Sequence, residues 1–365
     1  MNLLYGEVED DLRAGVRKLL ASRCDPAAVL ARAETDEPYD LGVWRTLGTE
    51  LGVVGLLVPE DLGGAGAGPR ETAVVLEELG RAVAPVPFLG SAVLATSALL
   101  ACEDEAVATL ADGTCTGTLG VPLTTPPAAP FPAGVHARRG ALSGRVGSVV
   151  DLEVADLVVV PAHDGDGPAL YVVELPGTGV TVEPVIPLDL TRRIADLVLD
   201  GAAGRRVAGG ELAVAALRAA LTAGAGLLAS EQLGVAQWCL DTTVEYTKTR
   251  YQFGRPIGSF QAVKHRLADV WATVSTARAV ARAAADALAT GADDTALVVA
   301  VAGAYASDAA VLAAEECIQL HGGIGMTWEH PAHLYLARAK TSQLALGTPD
   351  RHRTALADLV DLPPA

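Results

Sequence analysis

The chain is predicted to be an α+β protein with an N-terminal helical domain, a small middle β domain and a C-terminal four-helix bundle. Three observations predict this. The first hundred residues carry apolar side chains at helical spacing. From about Gly117 to Arg206 the texture changes to short β-rich apolar runs cut by frequent proline and glycine. From Glu211 onward helical periodicity returns and continues almost to the end. The boundaries expected from these changes are 1–116, 117–208 and 209–365.

Taken in order, residues 10–21 and 41–52 have the apolar spacing of helices. Pro59-Glu60-Asp61-Leu62-Gly63-Gly64-Ala65-Gly66 predicts a glycine-rich loop. Residues 69–82 form the next helix, which carries Glu77-Glu78-Leu79-Gly80-Arg81 and stops before Pro85 and Pro87. A further apolar helix over 91–101 precedes the acidic Glu103-Asp104-Glu105. Strands are expected at 157–160, 170–175, 180–185 and 194–199, where β-branched residues cluster between turn formers. Long helices follow at 211–250, 261–289 and 295–321.

With 365 residues the chain is long enough for two or three domains with sizeable cores. Aromatics are only 4%, so those cores must be built from Ala, Val and Leu. A formal net charge of −17 argues against nucleic acid or an anionic membrane as partner, since both need a basic surface. An anionic ligand needs only a local basic patch. No membrane span is expected: Arg218 and Glu231 flank one apolar stretch, and Asp293-Asp294 and Asp308 flank another. The acidic start, Met1 to Asp11, does not read as a signal peptide, so a cytoplasmic location is expected. Cys24, Cys102, Cys115, Cys239 and Cys317 are scattered without a C-x-x-C pair, which predicts reduced thiols.

Chemistry concentrates near the C-terminus. Arg250-Tyr251-Gln252-Phe253-Gly254-Arg255-Pro256-Ile257-Gly258-Ser259-Phe260-Gln261 leads to His265 and Leu267-Ala268-Asp269. Arg250 offers a planar guanidinium suited to a pyrophosphate, at a helix end broken by Gly254 and Pro256. Phe253 can cover an adenine or ribose face. In Gln319-Leu320-His321-Gly322-Gly323-Ile324-Gly325, the two adjacent glycines let backbone N–H groups approach a ligand closely. The alternatives stay open at this point: Phe253 and Ile257 as core, and Arg250 as a surface ion pair. Gln261, His265 and Asp269 lie at i, i+4 and i+8 on one helix face. Too few ligands converge there for a metal, and a polar network between helices is expected instead.

Over essentially its whole length the chain resembles the acyl-CoA dehydrogenase family. The resemblance rests on the R-x-Q-F-G-x-P-I-x-x-F-Q-x-x-x-H-x-x-A-D run from Arg250 and the Q-x-x-G-G-x-G run from Gln319. Val58-Pro59-Glu60 with Gly63, Gly64 and Gly66, and Glu77-Glu78-Leu79-Gly80, add to it. It implies an acyl-CoA dehydrogenase-like fold, FAD as cofactor, an acyl-CoA substrate and an electron-transfer flavoprotein or similar acceptor. It also implies Arg250, Phe253, Gln261, Gln319, Gly322, Gly323 and Thr348 as cofactor-binding residues. In the family, the matching Arg, Phe, Gln and Gly-Gly touch the ADP half of an FAD that belongs mainly to a neighbouring subunit.

The resemblance also marks what is missing. Leu346-Gly347-Thr348 stands where many members carry Glu-Gly-Thr, whose Glu is the base, and a leucine cannot accept a proton. A second family arrangement places the base at what is here Gly224, followed by Ala225. Glu231 is seven residues further on, about 10 Å of helix rise, so it and the more distant Glu245 are expected in surface or interhelical roles. No catalytic residue is therefore assigned. The family's flavin-ring stretches also read differently here. Leu119-Gly120-Val121-Pro122-Leu123-Thr124-Thr125-Pro126-Pro127 and Val146-Gly147-Ser148-Val149-Val150-Asp151 lack the usual aromatic and donor serine.

That pattern is similar to the base-lacking subunit of bacterial heteromeric (α2β2) acyl-CoA dehydrogenases. It implies a homologous base-containing partner subunit, an isolated chain without activity, and a bulky substrate such as a steroid side-chain CoA ester. A homomeric flavoenzyme with a displaced base or different chemistry is the first alternative. A flavin-free structural or binding homologue is the second.

Overall fold

The structure is a computed structural model that describes residues 3–362. Six helices open the chain: α1 (Glu7–Arg23), α2 (Pro26–Ala33), α3 (Leu41–Arg45), α4 (Pro69–Arg81), α5 (Thr96–Ala101) and α6 (Val107–Leu110). Acidic residues fill the first turn of α1, where they meet the positive end of the helix dipole. Asp25 caps α2 by accepting from the N–H groups of Ala27 and Ala28, with Pro26 in the first helical position.

The helix expected over 41–52 is only five residues of α-helix, followed by a widened π turn over Thr46–Glu50. The helix expected over 91–101 begins as a fully buried π segment, Phe88–Ala95. Side chains intrude on its backbone ladder: Asp151 accepts the Gly90 N–H at 3.0 Å, and the Thr96 hydroxyl donates to Ser91 O at 2.8 Å. The Glu77-Glu78 pair of α4 has a structural role. Arg13 donates to both carboxylates and Arg17 to Glu78, at 2.7–3.0 Å, locking α1 to α4.

The middle region is one eight-stranded sheet: β1 (Gly117–Leu119), β2 (Val135–Arg138), β3 (Ala141–Val150), β4 (Leu157–Asp164), β5 (Gly167–Glu174), β6 (Val180–Val185), β7 (Ile194–Ala203) and β8 (Arg205–Gly209). The order is β6-β7-β3-β2-β4-β5-β8, with β1 parallel to β4. The long strand β3 escapes sequence prediction because Ser143, Gly144, Gly147 and Ser148 interrupt its apolar alternation. Its register against β7 shifts between Val146 and Val149.

After the sheet, α7 (Gly210–Thr249) runs for 40 residues and packs against both the N-terminal α4 and the C-terminal bundle. A short hairpin, β9 (Tyr251–Gln252) and β10 (Arg255–Pro256), leads to α8 (Gln261–Thr290). Next come α9 (Thr295–His321), α10 (Ala332–Leu344) and α11 (Pro349–Leu359). Helices α7 to α10 form the bundle, and α11 lies on α9.

Contrary to expectation, two spans, those containing α7 and α9, are long and apolar enough to cross a membrane, with a mean hydropathy of 1.8 over their richest windows. Their few charges are too sparse to prevent this, because alanine and leucine dominate. Both are core helices, and those windows are 61% buried against the rest of the chain.

Candidate functional site

The motif-bearing runs separate into an open end of the bundle and a closed crevice. At the open end, Arg250 leaves the helical conformation and ends α7. Its N–H donates to Tyr246 O at 2.9 Å, and its carbonyl accepts from Ile257 N at 2.8 Å, which closes the hairpin. Phe253 and Gly254 make the turn, both at positive φ (54° and 73°). Phe253 is 90% exposed, touching Phe260 edge-on at 6.2 Å, so it is not a core residue. Arg255 lies over the Phe260 ring at 3.9 Å. The Arg250 guanidinium is exposed, and among the described residues no carboxylate pairs with it.

The end of α9 lies beside this hairpin. Tyr246 stacks on the buried His321 ring at 4.3 Å, and its hydroxyl donates to His321 O at 3.3 Å. Gln319 is exposed, as are Gly322 and Gly323, and no atom lies within 4 Å of where a Cβ on either glycine would be. Their backbone faces open space. Thr348 is remote in sequence and serves as the N-cap of α11, its hydroxyl accepting from Arg351 N at 3.3 Å. Gln261, His265 and Asp269 lie on an exposed face of α8. The expected polar network between helices is absent among the described residues, because that face packs on no other helix of the chain.

The closed crevice lies where α7, the π segment and the loop before α11 meet. Leu346 is fully buried at positive φ (55°), and its N–H donates to Leu123 O at 2.7 Å. A Cβ on Gly224 would lie 2.5 Å from Leu94 Cδ2 and 2.9 Å from Leu346 Cδ1. The two positions at which the resemblance places a base therefore converge on one point, and hydrocarbon fills it. The Ser148 N–H donates to Asp196 Oδ1 at 2.7 Å, and Ser148 O accepts from Leu123 N at 2.9 Å. The chain's own groups thus take up the Ser148 backbone in the β3 bulge. Three surface cavities of about 650, 510 and 400 Å³ are lined by residues around Arg32, Tyr305 and Glu211 respectively, and none reaches Leu346 or Gly224.

Sequence reasoning missed a buried polar cluster beside this crevice. Arg338 on α10 donates to Asp189 at 2.5 Å and to Thr191 O at 3.0 Å, and its guanidinium lies 3.5 Å from Glu231. Arg192 pairs with the other oxygen of Glu231, and Gln232 donates to Ser307 and to Ser342 O, both at 2.9 Å. Burial works against the charge on Arg338, yet Asp189 and Glu231 hold it above its ordinary value. Asp151 is also buried, accepting from the Tyr39 hydroxyl at 2.9 Å. Burial pushes its carboxyl up to about 6, against the pull of Arg192, Tyr39 and Gly90 N–H. Glu231 gave one usable signal in sequence, being a lone carboxylate inside an apolar helical stretch. It is interhelical as expected, whereas Glu245 is on the surface. Among the described residues, no group of three His, Cys, Asp or Glu side chains is placed to hold a metal.

A helical front, a mixed sheet and a helical bundle ending in an open glycine loop make up a three-part α+β fold. The N-terminal domain profile of acyl-CoA dehydrogenases matches residues 6–110, and the C-terminal domain profile matches 214–360. The chain belongs to the acyl-CoA dehydrogenase family. It is 40% identical to the acyl-CoA dehydrogenase IpdE2 of Mycobacterium tuberculosis, over 93% of this chain and 92% of that one. Among solved structures, the ChsE4-ChsE5 complex from Mycobacterium tuberculosis superposes with a TM-score of 0.88 at 31% identity, with full coverage of both chains. A variant of the Tcur3481-Tcur3483 steroid acyl-CoA dehydrogenase superposes at 0.87 with 30% identity, covering 99% of each chain.

Proposed function

We propose that this chain is the base-lacking subunit of a heteromeric FAD-dependent acyl-CoA dehydrogenase, and that it completes a site held mainly by a homologous, base-containing partner. One contrast carries the reading. The Arg250 hairpin and the Gly322-Gly323 loop are open to solvent, while Leu346, Gly224 and Leu94 fill the position where a base would stand. The ADP half of FAD fits the open end. Arg250 would pair with the pyrophosphate, Phe253 would cover the adenosine, and Gln319 and the glycine N–H groups would bond to the same half. Gln261 and Thr348 would border it. The ring half does not fit this chain's own crevice, since Ser148 N–H is bonded to Asp196 and Leu346 to Leu123. Bound FAD supplies the acceptor for the electrons removed from the Cα–Cβ bond of an acyl-CoA, and an electron-transfer flavoprotein or similar protein would take them on.

The ChsE4-ChsE5 complex and the Tcur3481-Tcur3483 steroid acyl-CoA dehydrogenase support a heteromeric assembly and a bulky acyl-CoA substrate, such as a steroid side-chain CoA ester; the assembly proposed is a cytoplasmic heterotetramer. Under this reading the functional units are 1–116, 117–208 and 209–365. Co-expression with a base-containing homologue, followed by released-flavin absorbance against protein mass, tests it. One FAD per two chains is expected. One FAD per chain would mean that the β3 bulge still holds a flavin ring, and the proposal would fall.

A further inference from the structure

The hairpin after α7 carries a second arginine, Arg255, outside the flavin contacts named above. Strands β9 and β10 pair Gln252 with Arg255 and Tyr251 with Pro256. The Ile257 N–H donates to Arg250 O at 2.8 Å, which sets Arg250 opposite Ile257. Side chains alternate along a strand, and directly paired residues share a face. Arg250, Gln252 and Arg255 therefore lie on one face of the hairpin. Gln252 turns its amide back to Tyr251 O at 2.9 Å, which leaves the two arginines as the donors on offer there. Arg255 is exposed but not loose. Its guanidinium lies over the Phe260 ring at 3.9 Å, and the Phe253 ring meets Phe260 edge-on at 6.2 Å. Stacking occupies the flat face of a guanidinium and leaves the N–H groups at its edge directed outward. Among the described residues the Arg255 side chain donates no hydrogen bond and joins no ion pair, although the chain holds 44 acidic residues against 27 basic ones. Arg266, on the helix that follows, is by contrast gripped by both oxygens of Glu316 at 2.6 and 2.7 Å.

We propose that Arg255, held by Phe260, is a second cation for the flavin diphosphate and acts beside Arg250 on the same hairpin face. The proposal rests on the reading that this hairpin receives the ADP half of FAD. Each phosphate of that half carries a negative charge, so a single guanidinium leaves one of them unmatched. A guanidinium already docked on a ring offers its charge while losing little further side-chain freedom on binding. Phe260 is the positioning residue, since it acts through Arg255. A basic pair on one face also gives a chain of net charge −17 a local patch that an anionic ligand can enter.

The test is FAD titration of the deflavinated complex with a base-containing homologue, read by flavin fluorescence at low and high salt. Arg255→Ala is expected to weaken FAD binding by about 10-fold, the lower end for a lost charge-assisted hydrogen bond. It should also flatten the salt dependence, because one screened charge pair has gone. Arg255→Lys, which keeps the charge but not the planar stack, should recover only part of the loss. Phe260→Leu should weaken binding by itself and add little to Arg255→Ala, as two groups acting through one contact do. Wild-type affinity in Arg255→Ala beside weak binding in Arg250→Ala would overturn this assignment and leave the reading of the hairpin standing. Wild-type affinity in both variants would remove the ADP half from the hairpin, and the proposal with it. An Arg255→Ala chain that no longer co-purifies with its partner would assign Arg255 to a partner carboxylate and overturn the proposal as well.

Discussion

The Cδ1 methyl of Leu346 stands 2.9 Å from the place that a Cβ on Gly224 would take. The two residues come from different ends of the C-terminal domain, one on α7 and one in the loop before α11. Each is where a resemblance drawn from sequence alone would put a base. Their convergence makes the absence of a carboxylate a property of one point in space, and Leu94 closes that point from the N-terminal domain.

Leu346→Glu by itself is expected to give no acyl-CoA desaturation by the isolated chain. The new carboxylate would be fully buried where hydrocarbon now stands. An uncompensated buried charge costs about 3–5 kcal/mol, and the group would relieve part of that by remaining protonated. Thermal unfolding should show the loss, and a turnover assay should stay at background. Turnover by the single variant would show that the crevice can still hold substrate and flavin ring.

Arg250→Ala should act on flavin and not on folding. A lost charge-assisted hydrogen bond of about 1.5–3 kcal/mol corresponds to roughly 10- to 150-fold in flavin affinity in the co-purified complex. Because the side chain is exposed and outside any ion pair among the described residues, the melting temperature should stay within the spread of surface substitutions, about 0.5 kcal/mol. Equal flavin content in variant and wild type would remove Arg250 from the site.

Glu231→Gln is expected to behave in the opposite way. Both carboxylate oxygens face arginines, and the substitution would leave Arg192 without its ion-pair partner and Arg338 paired with Asp189. Breaking one side of a buried ionic cluster costs about 3–5 kcal/mol. Denaturant unfolding of the isolated chain measures it. A change under about 1 kcal/mol, the size of an ordinary substitution, would mean that water or a neighbouring carboxylate compensates the arginines.

Asp151→Asn should alter how stability depends on pH. The folded-state pKa of Asp151 is raised to about 6, above its unfolded value, because burial disfavours the charged form. The native state therefore holds a proton that the unfolded state has released between about pH 4 and 6, so this group's contribution falls as pH rises through that window. At pH 7 the charged group costs about 3 kcal/mol relative to pH 4, an upper figure for one fully buried carboxyl. Asn cannot titrate. The difference in unfolding free energy between variant and wild type should shift in favour of Asn as pH rises from 4 to 7. A constant difference would mean that Asp151 does not titrate in that range.

The three-part order, the long helices and the glycine runs were legible in the chain because each depends on neighbouring residues. Hydrophobic spacing reports which face of a helix is buried, and Arg250, Phe253 and Gln319 lie in runs whose residue types already suit a polar ligand. Their exposure at the open end followed from turn chemistry at Phe253-Gly254 and Gly322. Prediction failed where distant segments decide the local outcome. Asp151 and Thr96 widen the helix over 88–95, and the glycines and serines of β3 look like a loop until β2 and β7 pair with it. The network face expected on α8 had no helix to meet.

What the amino-acid order alone determined is the set of residue types at each point: no carboxylate at 224 or 346, an arginine at 250, a lone glutamate at 231. What only the tertiary structure decided is which of those points coincide. Leu346 meets Gly224, and Glu231 finds Arg192 and Arg338, each across a long stretch of intervening chain. Local periodicity reports burial but carries no record of the partner. The partner is set by how helices and sheet pack to fill a common core, and that packing is a property of the whole chain.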